Sequence, residues 1–326
     1  SVFLSQHIGD LANLEALQFL RQSVDHLPRI LDIRPAIVAH DLHPNYLSTR
    51  LAQQFENVRL VPVQHHHAHV AACMAEHNLD GPVIGIALDG TGYGTDGKVW
   101  GGEILIADYG SFERVAHLRE VPMPGNEQAI RQPWRMALSY LDTAYGDDLW
   151  NLPLPFVHQL NQSKAELLLR ASRKGVNSPL TSSCGRLFDA VAALLQLRQT
   201  TTYEGQAATE LETAIDIEGA EHGNSVQVTT NLEHPHPVID SADSIRAVVD
   251  DIVAGLPLSD ISIRFHQNLA RSIVNVVRSI AIERQLPRVV LSGGCFQNRF
   301  LTSELTTALK RCCLLYTSPS PRDSIA

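Results

Sequence analysis

Residues 82–123, PVIGIALDGTGYGTDGKVWGGEILIADYGSFERVAHLREVPM, contain the clearest strand pattern of the sequence. It opens with the apolar run VIGIALDG, passes the dipeptide Asp96-Gly97, and continues with VWGGEILIAD and FERVAHLREV. Apolar runs of this length separated by turn residues predict β-strands, and Asp-Gly is a strong signal for a tight hairpin. We therefore predict an antiparallel meander of three strands.

Helices and strands alternate on both sides of this meander. Before it, LANLEALQFLRQSVDHLPRIL, YLSTRLAQQF and AHVAACMAEH have helical spacing, while AIVAHDL and VRLVPV are short strand-like runs. After it, the predicted helices are PWRMALSYLDTAY, SKAELLLRASRK, GRLFDAVAALLQL, RFHQNLARSIVNVVRSIAIERQ and NRFLTSELTTALK, with the strand PRVVLSGG before the last one. A polar stretch from Gly219 to Ser244 has weak periodicity and one strand candidate, SVQVTT. The alternation predicts an α/β fold with parallel pairing.

The order of elements repeats along the chain. We interpret the repeat as two ribonuclease-H-like lobes, of the actin, sugar-kinase and Hsp70 class (ASKHA), that face a nucleotide cleft. Residues 1–81 are expected to form a first lobe truncated at its N-terminus, and residues 82–311 a second lobe with helical insertions. Residues 312–326 are expected to be a non-native tail, because CLLYTSPSPRD back-translates to a sequencing-adapter read-through; a genuine Ser/Pro-rich tail is the alternative.

Composition narrows the class of protein. The chain has 326 residues, of which 44% are hydrophobic and 19% charged, as in ordinary globular proteins. Its net charge of -9, without a basic block, argues against a nucleic-acid partner. We find neither a run long enough to span a membrane nor a signal peptide. The five cysteines form no C-x-x-C pair and predict a reducing, cytoplasmic location.

The histidine-rich segment VPVQHHHAHVAACMAEH, Val61–His77, raises the question of a metal site. His65 and His69 are four residues apart at the start of a predicted helix, so both point to one face and can chelate one ion. A strand end precedes them, where ligand sites of α/β proteins cluster. The alternative is a chance pair of histidines on a solvated helix face.

Asp89 ends an apolar strand and enters the segment DGTGYGTDG. A carboxylate in this position can hold a metal while the glycines let backbone N–H groups approach a phosphate. A glycine-rich hairpin without any ligand is the alternative.

Two further segments suggest a nucleotide. In VVLSGGCFQN, Gly293 and Gly294 permit close backbone approach and Asn298 opens the next helix, which suits a base or ribose. A plain turn with Asn298 as the helix N-cap is the alternative. Asp189 lies among apolar helical residues, where an isolated carboxylate needs water, a donor or a ligand hydroxyl such as a ribose diol. Gly205, in TYEGQAATELE, allows another tight approach of the backbone.

Seven ordered motifs resemble one family. FLSQHIGDL, DLHPNYLST, QHHHAHVAACMAEH, LDGTGYGTDGKVWGGE, QPWRMA, YEGQAA and LSGGCFQN are similar to the last, Kae-like domain of the HypF carbamoyltransferases, which are hydrogenase-maturation proteins. The similarity runs from residue 1 to about residue 311. The family's acylphosphatase-like, zinc-finger and YrdC-like domains would lie upstream.

The resemblance implies an ATP-dependent carbamoyltransferase. In this family the YrdC-like domain makes carbamoyl-adenylate from carbamoyl phosphate and ATP. The domain in hand would transfer the carbamoyl group to the C-terminal cysteine of the partner HypE and release AMP. HypE then converts the product into the cyanide ligands of [NiFe]-hydrogenase.

The resemblance also implies roles for individual residues. His65, His69 and Asp89 match the ligands of a divalent metal, which Fe, Zn or Mn would suit, and Asp89 is also the expected catalytic carboxylate. The positions expected to contact the nucleotide are Gly90, Thr91, Gly92, Asp189, Gly205, Gly293, Gly294 and Asn298. The family's last metal-binding Asp would follow residue 311, and its usual Pro-Gly-Gly-Asp reads PGNEQ here. Weak metal binding and no turnover are therefore expected of the chain alone.

Other functions stay open at this point. One is an O-carbamoyltransferase that acts on a small molecule. Another is a non-catalytic nucleotide- and metal-binding module that docks HypE. A tRNA-modifying role, known among more distant relatives, is disfavoured by the acidic balance of the chain.

Overall fold

The computed structural model describes residues 3–9, 11, 14–216, 230–231, 237–312 and 314–317. The helices are α1 Leu14–Leu31, α2 Leu47–Ala52, α3 His65–Glu76, α4 Glu127–Arg131, α5 Pro133–Tyr145, α6 Pro155–Gln159, α7 Gln162–Arg173, α8 Cys184–Leu194, α9 Gln206–Thr213, α10 Ser241–Val253, α11 Leu258–Arg284 and α12 Arg299–Arg311. The strands are β1 Ile37–Asp41, β2 Arg59–Val63, β3 Val83–Tyr93, β4 Val99–Ala107, β5 Phe112–Leu118, β6 Val121–Pro122, β7 Leu180–Thr181, β8 Thr230–Asn231, β9 Val238–Ile239, β10 Arg288–Ser292 and β11 Leu315–Thr317. Short 3-10 helices span Gly146–Asn151 and Gly294–Gln297.

The predicted meander builds the main sheet. β3, β4 and β5 pair antiparallel in sequence order. β10 adds to the other edge of β3 in parallel, and β11 adds in parallel to β10. β9 and β8 continue the sheet beyond β5. The five strands in the order β11-β10-β3-β4-β5 have the arrangement of a ribonuclease-H-like lobe and confirm the predicted α/β fold class.

The hairpin of the meander forms where the sequence indicates it. Tyr93 pairs with Val99 across the turn, and Gly97 has a positive φ of 78°. The predicted strand FERVAHLREV, in contrast, is divided. β5 ends at Leu118, and β6 begins at Val121 and pairs with β7. The prediction is therefore wrong for Arg119 and Glu120, which lie between the two strands.

A small parallel sheet of β1 and β2 precedes the meander, as predicted. α3 follows β2 in sequence, yet its buried residues Val70, Cys73 and Met74 pack with Val83 and Ala87 of β3. The helix that carries the histidine cluster is therefore fixed to the main sheet. The expected boundary between the two lobes, at residues 81 and 82, stays a prediction.

β3 lies between two apolar layers, which explains its continuous hydrophobic run. Ile84, Ile86 and Leu88 face the larger core that α5, α8, α11 and α12 cover. Val83 and Ala87, on the opposite face, contact α3. Because both faces are buried, β3 is a rigid element on which to place functional side chains.

Several helices differ from the sequence prediction. The stretch expected to be irregular up to Ser244 already becomes helical at Ser241, where the Asp240 side chain accepts a hydrogen bond from the N–H of Ala242 and caps α10. α9 was not predicted either. Most of the strand candidate SVQVTT lies outside the described residues, as do residues 12 and 13 of the predicted first helix and most of the expected tail. No helix in the described ranges is long and apolar enough to cross a lipid bilayer.

We predict that Gly85→Ala destabilises the protein by about 1–3 kcal/mol, because a Cβ there overpacks the contact between α3 and β3. It would lie 2.5 Å from Cγ2 and 3.3 Å from Cβ of Val70, so rotating the valine does not relieve the clash. Urea unfolding measures the change. Gly110→Ala is the matched control, because its Cβ would lie 3.6 Å from Oδ1 of Asp108, an ordinary van der Waals distance. Equal stability of the two variants would contradict the packing described here.

Candidate metal centre

Two elements bring the predicted metal ligands together. α3 begins at His65, and the side chain of Gln64 caps it by accepting a hydrogen bond of 2.9 Å from the N–H of His67. His69 follows one turn later on the same face. Asp89 lies in β3 where the pairing with β4 shifts register between Leu88 and Gly92. The strand continues beyond this bulge to Tyr93, and such a bulge redirects the side chains within it.

The side chains of His65, His69 and Asp89 converge. His65 Nε2 lies 3.2 Å and His69 Nε2 3.0 Å from the same oxygen, Oδ2 of Asp89. One ligand atom from each of the three residues falls within 4.8 Å of the others. The predicted juxtaposition is therefore present, while metal binding itself stays a prediction.

The other carboxylate oxygen of Asp89 is held by the backbone. Oδ1 accepts hydrogen bonds from the N–H groups of Gly90, at 2.8 Å, and Gly294, at 3.2 Å. Burial alone raises the pKa of Asp89, but the hydrogen bonds from His65 and His69 outweigh it and hold the pKa well below its usual range. Asp89 is thus an ionised carboxylate with fixed orientation.

Asp41, a residue that the sequence analysis missed, contacts the second nitrogen of His65. Asp41 Oδ2 lies 3.0 Å from His65 Nδ1. Burial lowers the pKa of His65, yet hydrogen bonds with Asp41 and Asp89 raise it to about 9. The available signal was its position at the end of the strand run AIVAHDL, since strand ends of α/β proteins carry ligand sites.

The donor set fits a divalent cation. Two imidazole nitrogens and a carboxylate oxygen suit Fe, Zn or Mn, and a carboxylate behind one histidine is the usual outer partner of such a ligand. His66 and His67 point elsewhere, as predicted. His67 Nε2 lies 2.7 Å from the carbonyl oxygen of Asp108, and burial lowers the pKa of His66 to about 4.

The glycine-rich segment after Asp89 is packed tightly. A Cβ on Gly92 would lie 2.4 Å from Cε1 of His66, so this glycine lets α3 approach β3. Ser183, the N-cap of α8, donates its hydroxyl toward the carbonyl oxygens of Asp89 at 3.0 Å and Gly90 at 2.6 Å. The contacts of Gly90, Thr91 and Gly92 with a phosphate stay predictions.

The loop after β10 packs against β3 beside Asp89. Gly293 has a φ of 106°, and a Cβ there would lie 2.3 Å from the carbonyl oxygen of Leu88. Gly294 N–H donates to Asp89, as described above. Both glycines therefore permit the close approach that the sequence predicts, and their contact with a nucleotide stays a prediction.

Asp189 is not the isolated carboxylate that the sequence suggests. Its Oδ2 lies 2.7 Å from Nε of Arg186, and both side chains are 3% exposed. Burial raises the pKa of Asp189, while the charge of Arg186 opposes that rise. A ribose is thus not needed to satisfy the carboxylate, although a ribose contact stays a prediction.

Asn298 caps α12, as the alternative interpretation had it. Its Oδ1 accepts from the N–H of Leu301 at 2.8 Å, and its Nδ2 lies 2.8 Å from Nε2 of the buried His266. Gly205 has a positive φ of 77° at the start of α9, and nothing within 4 Å would contact a Cβ there. Nucleotide contacts of both residues stay predictions.

We predict that His69→Ala abolishes binding of one divalent ion per chain without unfolding the domain, because the His69 side chain is 35% exposed and contributes little packing. Equilibrium dialysis against excess Zn²⁺ and thermal melting provide the two measurements. His77→Ala, at the exposed C-terminal end of the same helix, should retain the ion. A folded His69→Ala protein that retains stoichiometric metal would exclude this residue as a ligand.

We also predict that Asp189→Ala destabilises the protein by about 3–5 kcal/mol, since it leaves the buried Arg186 charge without its partner. Chemical denaturation measures the loss. The double variant Arg186→Met with Asp189→Leu should recover most of it, because apolar replacement of both partners removes the unpaired charge. Failure of the double variant to recover stability would point to a role of Asp189 beyond this ion pair.

Comparison with known proteins places the chain in a family. Residues 85–323 match the family model described as the carbamoyltransferase Kae1-like domain, second subdomain, and residues 1–76 match the HypF Kae1-like domain. The carbamoyltransferase HypF2 of Cupriavidus necator is 38% identical over 94% of the chain and 40% of its own length. A HypF homolog from the same organism is 37% identical, and the chain covers 77% of it.

Solved structures show the same fold. A full-length HypF in its phosphate- and nucleotide-bound form is 41% identical, with a TM-score of 0.91 over 98% of this chain and 49% of the other. HypF from T. kodakarensis is 34% identical with a TM-score of 0.85. The chain spans about 40% of the length of the first curated relative it matches. It belongs to the HypF carbamoyltransferase family and matches the Kae1-like domain of that family in both sequence and fold.

Proposed function

We propose that this chain is the domain that transfers a carbamoyl group from carbamoyl-adenylate to the C-terminal cysteine of HypE in [NiFe]-hydrogenase maturation. The intermediate is made from carbamoyl phosphate and ATP. Family membership supports transfer of a carbamoyl group, and the phosphate- and nucleotide-bound state of a similar HypF supports a nucleotide-linked donor. The acceptor protein is the part that the experiment below tests.

One observation carries the proposal. His65, His69 and Asp89 meet where the parallel pairing of β3 with β10 ends, between the glycine-rich segment that follows Asp89 and the loop after β10. This is the edge of a parallel strand pair where nucleotides bind in open α/β sheets. The three side chains would hold a divalent cation that, when bound, offsets negative charge on a phosphate.

The protein's own groups orient the donor. The backbone at Gly92 and Gly293 packs closely at this place. The N–H groups of Gly90 and Gly294, which donate to Asp89 Oδ1, would turn to phosphate oxygens when the donor binds. Asp89 and the two histidines would hold the cation, which would supply positive charge beside the phosphate. Such positioning replaces a bimolecular encounter by a reaction between neighbouring groups.

The chemical step is an acyl substitution. The cysteine thiolate of HypE attacks the carbonyl carbon of carbamoyl-adenylate and forms a C–S bond. The C–O bond to the phosphate then breaks, and AMP leaves with that electron pair. No water or oxidant takes part in this step, and hydrolysis of the activated ester is the reaction that competes with it.

We predict that a full-length C. necator HypF2 carrying residues 1–311 of this chain in place of its matching residues, with the HypF2 sequence that follows them kept, adds one carbamoyl group to HypE when supplied with ATP and carbamoyl phosphate. Mass spectrometry of intact HypE measures the gain. The same chimera with His69→Ala should give no gain, because the donor phosphate is no longer held. A HypE variant without its C-terminal cysteine is the acceptor control.

The same assay separates the alternatives. Carbamoylation of a small alcohol without any gain on HypE would favour an O-carbamoyltransferase. Binding of HypE and nucleotide with no transfer by a folded chimera, alongside an active HypF2 control, would favour a non-catalytic docking module. Either outcome would overturn the proposed acceptor.

A further inference from the structure

We propose that Asp41 is a positioning residue that fixes the tautomer and orientation of His65, so that the lone pair of Nε2 faces the site shared with His69 and Asp89. The inference deepens the proposed function and rests on the metal site included in it. It assigns a role to the first, small sheet, which otherwise contributes no side chain to the candidate centre.

Asp41 is held rigidly enough for this task. It is the last residue of β1 and pairs with Val63 of β2, two residues before His65. Its Oδ1 accepts a hydrogen bond of 2.7 Å from the N–H of His43, which leaves Oδ2 to contact His65 Nδ1 at 3.0 Å. The carboxylate thus has one oxygen fixed by the backbone and the other directed at the imidazole.

The chemistry of the pair decides the tautomer. An ionised carboxylate only accepts hydrogen bonds, so His65 Nδ1 must carry the proton that it donates to Asp41. In a neutral imidazole the other nitrogen, Nε2, then has its lone pair free for a cation. That nitrogen lies 3.2 Å from Asp89 Oδ2, so the hydrogen bond between them gives way, and Nε2 gives up its proton, when a cation binds. An outer carboxylate of this kind orients a ligating histidine and raises its basicity.

The second histidine has weaker support. His69 Nδ1 lies 3.5 Å from the hydroxyl oxygen of Ser292, which is a long and weak contact. A hydroxyl can donate or accept, so Ser292 does not impose one tautomer on His69. His65 is therefore the pre-oriented ligand of the pair, and His69 is free to adjust around it.

Zn²⁺ titration of three proteins tests the assignment: the unchanged chain, Asp41→Ala and Asp41→Asn. Both variants should bind Zn²⁺ about 10- to 100-fold more weakly than the unchanged chain. Asp41→Asn should be the weaker of the two. Its amide oxygen stays with His43 N–H, so its amide N–H₂ faces His65 Nδ1 and stabilises the tautomer that carries the proton on Nε2.

Loss of negative charge alone would weaken both variants equally, and that result would overturn the positioning role. Asp80→Asn, an exposed carboxylate between α3 and β3, controls for net charge and should leave the Zn²⁺ affinity unchanged. Nitrogen-15 spectra of the Zn²⁺-saturated proteins give a second readout. Protonated Nδ1 with metal-bound Nε2 is expected for His65 in the unchanged chain, and this signature should disappear in Asp41→Asn.

The result also separates this inference from the proposed function. If the unchanged chain binds no Zn²⁺, the metal site fails and the role of Asp41 fails with it. If the unchanged chain binds Zn²⁺ through His65 and the Asp41 variants bind it equally well, only the role of Asp41 is wrong. Circular dichroism of each variant confirms that the compared proteins are folded.

Discussion

Close packing of α3 against β3 is the constraint on which the candidate centre depends. Gly85 and Gly92 leave no room for a Cβ beneath Val70 and His66, so the helix lies directly on the sheet. Only at this separation do two imidazoles of α3 reach one carboxylate of β3. Burial of the apolar face of α3 stabilises the contact between helix and sheet, and the polar face at its first turn carries the two candidate histidine ligands.

Much of the fold follows from local sequence patterns. The meander, the hairpin at Asp96-Gly97 and the pair His65 and His69 are local features, and each lies where the sequence indicates. The contact of Asp41 with His65 joins residues 24 positions apart, and that of Ser183 with Asp89 joins residues 94 positions apart. Helical or strand periodicity describes neighbouring residues only and therefore does not predict these contacts.

The ion pair of Asp189 is a contact that the sequence could have predicted, because its partner Arg186 is only three residues away on the same helix. α10 was missed because its capping residue follows a polar stretch without periodicity.

The predicted contacts with a nucleotide depend on a change in hydrogen bonding at the site. The N–H groups of Gly90 and Gly294 already donate to Asp89 Oδ1, so binding a phosphate there requires them to exchange that partner. A cation that takes over the charge of Asp89 would make this exchange easier.

X-ray absorption spectroscopy of the Zn²⁺-loaded chain shows whether the three side chains share one cation, because it reports the atoms bound to the ion. We expect two imidazole nitrogens at about 2.0–2.1 Å together with a carboxylate oxygen at about 2.0–2.2 Å. A first shell without imidazole scattering, or one with a sulfur ligand at about 2.3 Å, would contradict a cation shared by His65, His69 and Asp89.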